Sequence, residues 1–398
     1  MTIRFDPIRI ITPTEVIERG TIIVSDDGVI RYAGATEQAP QVAATRRELP
    51  RYTAVPGFID IHVHGGRGIT FGSGDVAEGL KAYSKWVAAT GVTGFLITLA
   101  APDTPTLLRL LSAYADAIEA GVEGARPLGL HLEGPLLNPQ KKGAFNPAWL
   151  HPLPPAQVEE CLKAARGWLR QVTIAPELPG ATEAARLFRQ AGVTVALGHS
   201  ATDYETASAA LKGDYTHVTH TFNAQSGFDH RAPGVVGAIL ASQNVTAELI
   251  ADAVHVHPAA MQILLRCLGS DRVVLVTDAM AGAGLSDGTY ELVGSAVTVK
   301  AGRATLADGT LAGSVATLQQ CVRNLTHLLG VPIQQAVQMA TLNPACAIGL
   351  AHQVGQIAVG RPADLVFIDD DVQVALTLVD GKIVYAPQTG VLKESLST

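Results

Sequence analysis

A short segment near residue 60 carries two histidines whose spacing suits metal binding. Residues 56–66 read PGFIDIHVHGG. Side chains alternate between the two faces of a strand, so His62 and His64 are predicted to point to one side while Val63 points away. Two neighbouring imidazoles form half of a site for a divalent metal ion. An isolated His-x-His pattern is a weak signal, and its value depends on matching ligands elsewhere in the chain.

Matching residues follow other apolar runs, each where a predicted strand ends. They are Glu133, His199, His220, His255 and Asp278. In a barrel of parallel strands, the carboxyl ends of the strands meet at one face and carry the working residues. Unrelated surface residues would be scattered over both ends of the strands. We therefore interpret these side chains as parts of one site.

The residue types indicate hydrolytic metal chemistry. Glu133, His199 and His220 offer three ligands and leave one position open, as catalytic zinc requires. His62 and His64 are predicted to hold a second ion, with Glu133 bridging the two. Asp278 would lie beside the activated water and accept its proton. The alternative for each histidine taken alone is a hydrogen-bonded core residue, which the convergence of the whole set disfavours.

The elements that must position these residues alternate between strands and helices. Continuously apolar runs predict buried parallel strands, and the segments between most of them have helical patterns. The predicted strands are 54–61, 92–99, 127–132, 171–175, 193–197, 217–221, 245–250 and 272–277. Eight strands alternating with helices predict a (β/α)8 TIM barrel over residues 54–345, rather than an open doubly wound sheet.

The two ends of the chain have a different pattern. Short β-rich runs separated by turns fill residues 1–53, and similar runs return in residues 346–398. We predict a discontinuous, small β-sandwich-like domain built from both termini and flanking the barrel. Between barrel and tail, a hairpin-like insert is predicted over 290–311 and two helices over 314–329 and 333–341.

Composition excludes several classes of protein. Hydrophobic residues make up 47% of the 398 residues and charged residues 16%, so a large core can form. The net charge is -7 and no basic run occurs, which argues against nucleic acid or an anionic membrane as partner. No apolar run is long enough to span a membrane, and the first residues lack the pattern of a signal peptide. The four cysteines form no Cys-x-x-Cys pair, and we predict a cytoplasmic protein.

Several motifs together resemble a known family. The barrel resembles the amidohydrolase superfamily, and its narrower motifs resemble the N-acetylglucosamine-6-phosphate deacetylase family. The matching segments are PGFIDIHVHG at 56–65, HLEGP at 131–135, KKG at 141–143, GHS at 198–200, THTFNA at 219–224, HRAPG at 230–234, IADAVH at 250–255, VTDAM at 276–280, LAGS at 311–314 and NPA at 343–345. They cover nearly the whole chain.

The resemblance implies hydrolysis of the acetamide of an N-acetylated amino-sugar phosphate. Asp278 would act as general base toward the water and then as general acid to the departing nitrogen. Glu133, His199, His220, His62 and His64 would bind one or two divalent ions per subunit, zinc first and iron second. The substrate would contact Asn223, the backbone N–H of Ala224, Arg231, His255, Leu311, Ala312 and Gly313. The resemblance also implies a homodimer.

Two positions bear on the family comparison. Many members carry a histidine after the KKGA segment, where it can contact the acetyl carbonyl, and this chain has Phe145. Some members have lost the first His-x-His pair and use one metal ion, whereas this chain keeps His62 and His64. Three alternatives remain open: a deacetylase of N-acetylgalactosamine 6-phosphate, another N-acyl amidohydrolase, or a non-catalytic assembly protein on the same barrel.

Overall fold

We describe the fold from a computed structural model, which covers residues 2–12, 15–387 and 394–397. In chain order its strands are β1 (Ile3–Ile11), β2 (Val16–Val24), β3 (Ile30–Ala35), β4 (Ala44–Arg47), β5 (Thr53–Pro56), β6 (Phe58–Asp60), β7 (Gly65–Gly66), β8 (Ile69–Thr70), β9 (Val92–Leu99), β10 (Arg126–Glu133), β11 (Leu169–Ile174), β12 (Thr194–Leu197), β13 (Tyr215–Val218), β14 (Thr246–Ile250), β15 (Val273–Val276), β16 (Gly288–Leu292), β17 (Ser295–Lys300), β18 (Arg303–Thr305), β19 (Leu365–Ile368), β20 (Val374–Val379), β21 (Lys382–Tyr385) and β22 (Glu394–Ser397). Its α-helices are α1 (Val76–Ala88), α2 (Thr104–Ala120), α3 (Pro155–Ala165), α4 (Ala181–Gln190), α5 (Tyr204–Lys212), α6 (Gly234–Ala241), α7 (Pro258–Leu268), α8 (Leu318–Leu329), α9 (Ile333–Ala340) and α10 (Leu342–Ala347).

Eight parallel strands form the predicted barrel. Their order in the ladder is β6, β9, β10, β11, β12, β13, β14 and β15, which is also their order in the chain. Helices cross over between most of them, as parallel pairing requires. Every residue of β9 is buried, because helices cover one face and the barrel interior the other. The predicted TIM-barrel class is therefore confirmed.

The barrel closes between the two edge strands of this ladder, β6 and β15. The backbone N–H of Asp278 donates to the carbonyl of His62 at 2.9 Å, and that of His64 donates to Ala279 at 2.8 Å. The Thr277 hydroxyl donates to a carboxylate oxygen of the buried Asp60 at 2.6 Å. We call these contacts the closure seam. They join the segment that carries the first histidine pair to the segment that carries Asp278.

The strands near both termini form a separate nine-stranded sheet. Its main path runs β21, β20, β19, β5, β1, β2 and β3, and β4 joins β22 to β1. Phe5 and Phe367 lie in its apolar core with ring centroids 4.8 Å apart. Arg126, at the start of β10, pairs with Asp364 and Asp380 and links the barrel to this sheet.

The predicted single strand over 54–61 is wrong. The structure divides it into β5, which belongs to the terminal sheet, and β6, which belongs to the barrel. Gly57 lies between them, and a Cβ at this position would come within 2.0 Å of the Thr93 hydroxyl oxygen. The chain therefore changes sheets at a residue that only glycine fits. The predicted domain boundary after residue 53 stays a proposal. Strand β5 (Thr53–Pro56) crosses this boundary and pairs with β1 and β19 of the terminal sheet.

Smaller differences concern the connecting elements. The predicted hairpin over 290–311 is a three-stranded antiparallel sheet made of β16, β17 and β18. Helix α6 was not predicted, because its sequence GVVGAILA is apolar on all faces and shows no helical period. Within the described part of the chain, no helix is both long and apolar enough to cross a membrane.

Candidate active site

Three of the predicted site residues occupy equivalent positions at strand ends. His199, His220 and Asp278 each lie two residues beyond the end of their strand, after β12, β13 and β15. All three have left-handed backbone conformations, with φ values of 48°, 25° and 49°. This region is unfavourable for residues other than glycine and is concentrated at functional sites. These turns bring the three side chains to the carboxyl-terminal mouth of the barrel.

Glu133, His199 and His220, which we call the first ligand group, come together as predicted. His199 Nε2 lies 3.1 Å and His220 Nε2 3.2 Å from Glu133 Oε1, and the two nitrogens are 3.0 Å apart. A tetrahedral zinc bonded at about 2.0–2.1 Å would hold its ligand atoms about 3.3–3.4 Å apart. The three atoms are therefore spaced much as one face of such a site.

His62, His64 and Asp278, which we call the second ligand group, lie on the other side of Glu133. His64 Nε2 is 3.2 Å from Asp278 Oδ1 and 3.0 Å from Glu133 Oε2. His62 Nε2 is 3.5 Å and 3.4 Å from the same two atoms. Glu133 thus presents one oxygen to each group, and its bridging of two ions stays a prediction. β6 ends at Asp60, so turns beyond the strand, and not strand alternation, bring the two histidines together.

The donor set fits a metal ion. His62 Nε2 is buried and has no hydrogen-bond partner among the residues that the structure describes, although it faces two carboxylates. Its Nδ1 lies 2.9 Å from Glu248, which holds the proton on that nitrogen and leaves Nε2 free as a ligand. His199 is oriented similarly, because its Nδ1 lies 2.7 Å from the carbonyl oxygen of Lys141. Imidazoles turned toward the site with carboxylates between them are typical of zinc centres.

The electrostatics of the site favour bound positive charge. Burial raises the pKa of the Glu133 carboxyl, but the charge of His62 and hydrogen bonds from His199 and His220 outweigh it and hold this pKa well below its usual range. Burial also raises the pKa of Asp278, and the neighbouring His62 and His64 bring it below its ordinary value. Both carboxyl groups are therefore ionised at neutral pH, when they can bind a cation or accept a proton.

Glu248 is a site residue that the sequence reasoning missed. It is fully buried in β14, contacts His62, and accepts a hydrogen bond from the backbone N–H of His220 at 2.9 Å. His217 Nε2 lies 3.2 Å from its other oxygen. β13 ends at Val218, before His220, so strand alternation does not relate the orientations of His217 and His220. The sequence signal that could have identified Glu248 is a glutamate inside the mostly apolar strand β14.

Two further residues make hydrogen bonds around the ligands. The ring nitrogens of His131 contact Thr98 at 3.1 Å and Thr173 at 2.8 Å inside the barrel. Glu177 lies beside the first ligand group. It accepts hydrogen bonds from the Ser200 hydroxyl at 2.7 Å and from the Ala201 N–H at 2.8 Å, next to His199.

A cavity of 360 Å³ opens in front of both ligand groups. Five of the predicted substrate residues line it together with Asp278: Asn223, Ala224, His255, Leu311 and Gly313. Ala312 is buried in the apolar cluster behind this wall. Arg231 is exposed in the loop before α6 and does not line the cavity of its own chain. The structure therefore brings together all predicted substrate residues except these two.

His255 lies on the cavity wall, where a neighbouring carboxylate stabilises its protonated form. Burial lowers the pKa of its imidazole, but a hydrogen bond to Asp252 at 2.7 Å and the charge of that carboxylate outweigh burial, so the pKa lies above its ordinary value. An imidazole whose protonated form is stabilised at this place suits an anionic or hydroxyl-bearing ligand.

The match to a family model agrees with this geometry. A model described as the amidohydrolase family matches residues 53–384, which is most of the chain. The chain belongs to the amidohydrolase family. The boundaries of the match include the whole barrel and β19, β20 and most of β21 of the terminal sheet, so the family similarity of this amidohydrolase extends over both sheets.

Individual relatives are more specific. This amidohydrolase is 38% identical over 381 residues to N-acetylglucosamine-6-phosphate deacetylase of Vibrio furnissii, which covers 95% of this chain and 92% of that protein. It is 37% identical over 357 residues to N-acetylgalactosamine-6-phosphate deacetylase of Escherichia coli O157:H7, covering 90% and 93%.

A solved structure gives the same result. A mutant of N-acetyl-D-glucosamine-6-phosphate deacetylase from Mycobacterium smegmatis, in complex with N-acetyl-D-glucosamine-6-phosphate, is 36% identical. It superposes with a TM-score of 0.89 and covers 96% of this amidohydrolase and 99% of that chain. These relatives confirm the resemblance on which the motif assignment depended.

Proposed function

We propose that this amidohydrolase hydrolyses the acetamide of N-acetylglucosamine 6-phosphate to glucosamine 6-phosphate and acetate. The observation that carries the proposal is the first ligand group, formed by Glu133, His199 and His220, beside the ionised Asp278 on the floor of one cavity. The names of the similar proteins support the same reaction.

The ligand groups would hold one or two divalent ions, for which we propose zinc and keep iron as the alternative. Such an ion, when bound, acts as a Lewis acid that makes water a stronger nucleophile and polarises the amide carbonyl. The residues Glu133, His199 and His220 would hold the first ion. His62 and His64 would hold the second, with Glu133 between them.

Asp278 would transfer the proton. Its carboxylate is ionised, lies 3.2 Å from His64 and faces the cavity. It would accept a proton from the attacking water as the carbon–oxygen bond forms. It would then donate that proton to the amide nitrogen as the carbon–nitrogen bond breaks, so one group serves as base and acid in turn.

The far side of the cavity would bind the sugar phosphate. Asn223, the backbone N–H of Ala224 and the His255 imidazole offer donors for an anion or hydroxyl group. Arg231 is exposed and lies outside its own cavity, which supports a homodimer in which the loop of one subunit completes the site of the other. An arginine suits phosphate because its planar fork donates two hydrogen bonds.

The test measures acetate release from N-acetylglucosamine with and without the 6-phosphate. We expect a kcat/KM that is at least about 100-fold higher for the phosphorylated sugar, since hydrogen bonds to a charged group are strong. Equal rates on both sugars would contradict the phosphate-binding role. Arg231→Ala should raise KM for the phosphorylated sugar, and a variant that is unaffected would favour another N-acyl amidohydrolase.

N-Acetylgalactosamine 6-phosphate is a second candidate substrate, because a deacetylase of that sugar is nearly as similar to this chain. Direct competition between the two epimers separates the candidates, and the epimer with the higher kcat/KM is the substrate. A non-catalytic assembly protein would show no stoichiometric metal by elemental analysis and no acetate release after zinc or iron is added.

A further inference from the structure

Phe145 separates the substrate cavity from a second, smaller one. The second cavity has a volume of only 10 Å³, about the size of one water molecule. Glu133 and Phe145 line both cavities. Behind Phe145 the smaller cavity is mostly apolar, with Leu107, Leu132 and Trp149 among its walls. The Phe145 ring is thus the partition between the ligand groups and an apolar space under the mouth of the barrel.

Phe145 is held firmly in this position. Its side chain is 5% exposed and packs with Leu137, Met280 and Leu292. Its ring meets the His199 imidazole edge-on, with ring centroids 5.3 Å apart and an interplanar angle of 85°. A densely packed aromatic ring cannot move aside without disturbing its neighbours. The packing therefore opposes displacement of the ring.

The position of Phe145 relates it to the acyl part of the substrate. The amide carbon must lie next to Asp278 and the first ligand group, and the sugar phosphate would extend toward Asn223 and Ala224. Phe145 lines the same cavity and lies against His199 of the first ligand group, so we place the acyl chain beside its ring. A phenyl ring donates no hydrogen bond to a carbonyl oxygen, so it complements the alkyl part of the acyl group.

From these contacts we propose that Phe145 is the specificity residue that limits the acyl group of the substrate to acetyl. The inference rests on the proposed deacetylase function. A propionyl or butanoyl chain would extend into the fixed ring, whereas an acetyl methyl group ends before it. A pocket that excludes one methylene typically discriminates by about 10- to 200-fold.

The experiment compares kcat/KM for the N-acetyl, N-propionyl and N-butanoyl forms of glucosamine 6-phosphate. The wild type should prefer acetyl over butanoyl by about 100-fold or more. Phe145→Ala joins the two cavities and should raise the butanoyl-to-acetyl ratio at least about tenfold. Phe145→Leu keeps an apolar core side chain and opens the partition less, so it should give an intermediate butanoyl-to-acetyl ratio. This variant replaces Phe145→Ala in the test if the alanine variant does not fold.

Trp149→Leu is the matched control. It changes a wall of the second cavity and keeps the Phe145 ring, so the acyl ratio should stay at the wild-type value. The inference is overturned by a wild type that accepts butanoyl as well as acetyl, by unchanged ratios in both Phe145 variants, or by an equal shift in the Trp149 variant. A wild type that is inactive on all three substrates instead contradicts the proposed function.

Discussion

The two ligand groups share Glu133 but depend on different parts of the barrel. The first group comes from β10, β12 and β13, which lie within the continuous ladder of parallel strands. His62, His64 and Asp278 follow β6 and β15, the two edges of that ladder. The second group therefore forms only where the barrel closes, through the backbone hydrogen bonds of the closure seam.

Because of this difference, we expect the two ligand groups to have different roles. Ladder hydrogen bonds on both sides hold the strands of the first group, which suits a permanent metal site. The second group includes Asp278, whose carboxylate must also accept and release a proton in the proposed reaction. We infer that the first group holds the ion on which activity depends most. Loss of a histidine ligand from the second group should have a smaller effect on kcat. Three predictions test this comparison.

The largest expected effect distinguishes the groups directly. His199→Asn removes a ligand of the first group and should lower kcat by about 10⁴-fold, with loss of bound metal. His64→Asn, the matched change in the second group, should lower metal content while reducing kcat by about 100-fold or less. Elemental analysis and acetate release measure both variants. Equal losses would show that the two groups contribute alike.

Asp278→Asn should have the next largest effect. The amide keeps the size of the side chain but cannot accept the proton, so kcat should fall by about 10³-fold. The metal bound by the first group should remain at its wild-type stoichiometry, because Glu133, His199 and His220 are unchanged. A loss of only a few fold in kcat would contradict the role of Asp278 as general base.

The smallest effect concerns the closure seam. Thr277→Val removes the hydroxyl that donates to the buried Asp60, and should lower the free energy of unfolding by about 1–3 kcal/mol. Because the seam positions His62 and Asp278, this variant should also bind metal more weakly in the second group. Denaturant unfolding and metal titration are the measurements.

Thr194→Val is the control for Thr277→Val. Thr194 is the first residue of β12 and lies away from the seam, and its hydroxyl donates to the Ala347 carbonyl at 2.7 Å. It should cost similar stability without changing metal binding. A Thr277 variant whose metal affinity equals that of the control would show that the second group does not depend on closure.

The elements that sequence patterns predicted well share one physical property. β9 has the predicted bounds, because its mostly apolar sequence is buried on both faces and begins after a glycine. The errors occur where tertiary contacts override the local pattern. Helix α6 is buried all around and so lacks an amphipathic period, and Gly57 divides one apolar run between two sheets.

The site was predictable for a similar reason. A charged or polar residue at the end of an apolar run or within two residues of it marks a strand end, so Glu133, His199, His220 and Asp278 could be found without coordinates. Glu248 could not be assigned a role in this way, because it lies inside its strand and its function depends on a contact with His62, which is 186 residues distant in the chain.

The amino-acid sequence by itself determined which chemical groups this barrel presents at its mouth, because strand order and side-chain type follow from local pattern and the motifs are specific. Only the tertiary structure decided how those groups are divided. The two oxygens of Glu133 face different histidine pairs, the second group forms across the closure seam, and Phe145 separates two cavities. Each depends on distances between segments far apart in the chain, which packing sets and no local pattern encodes.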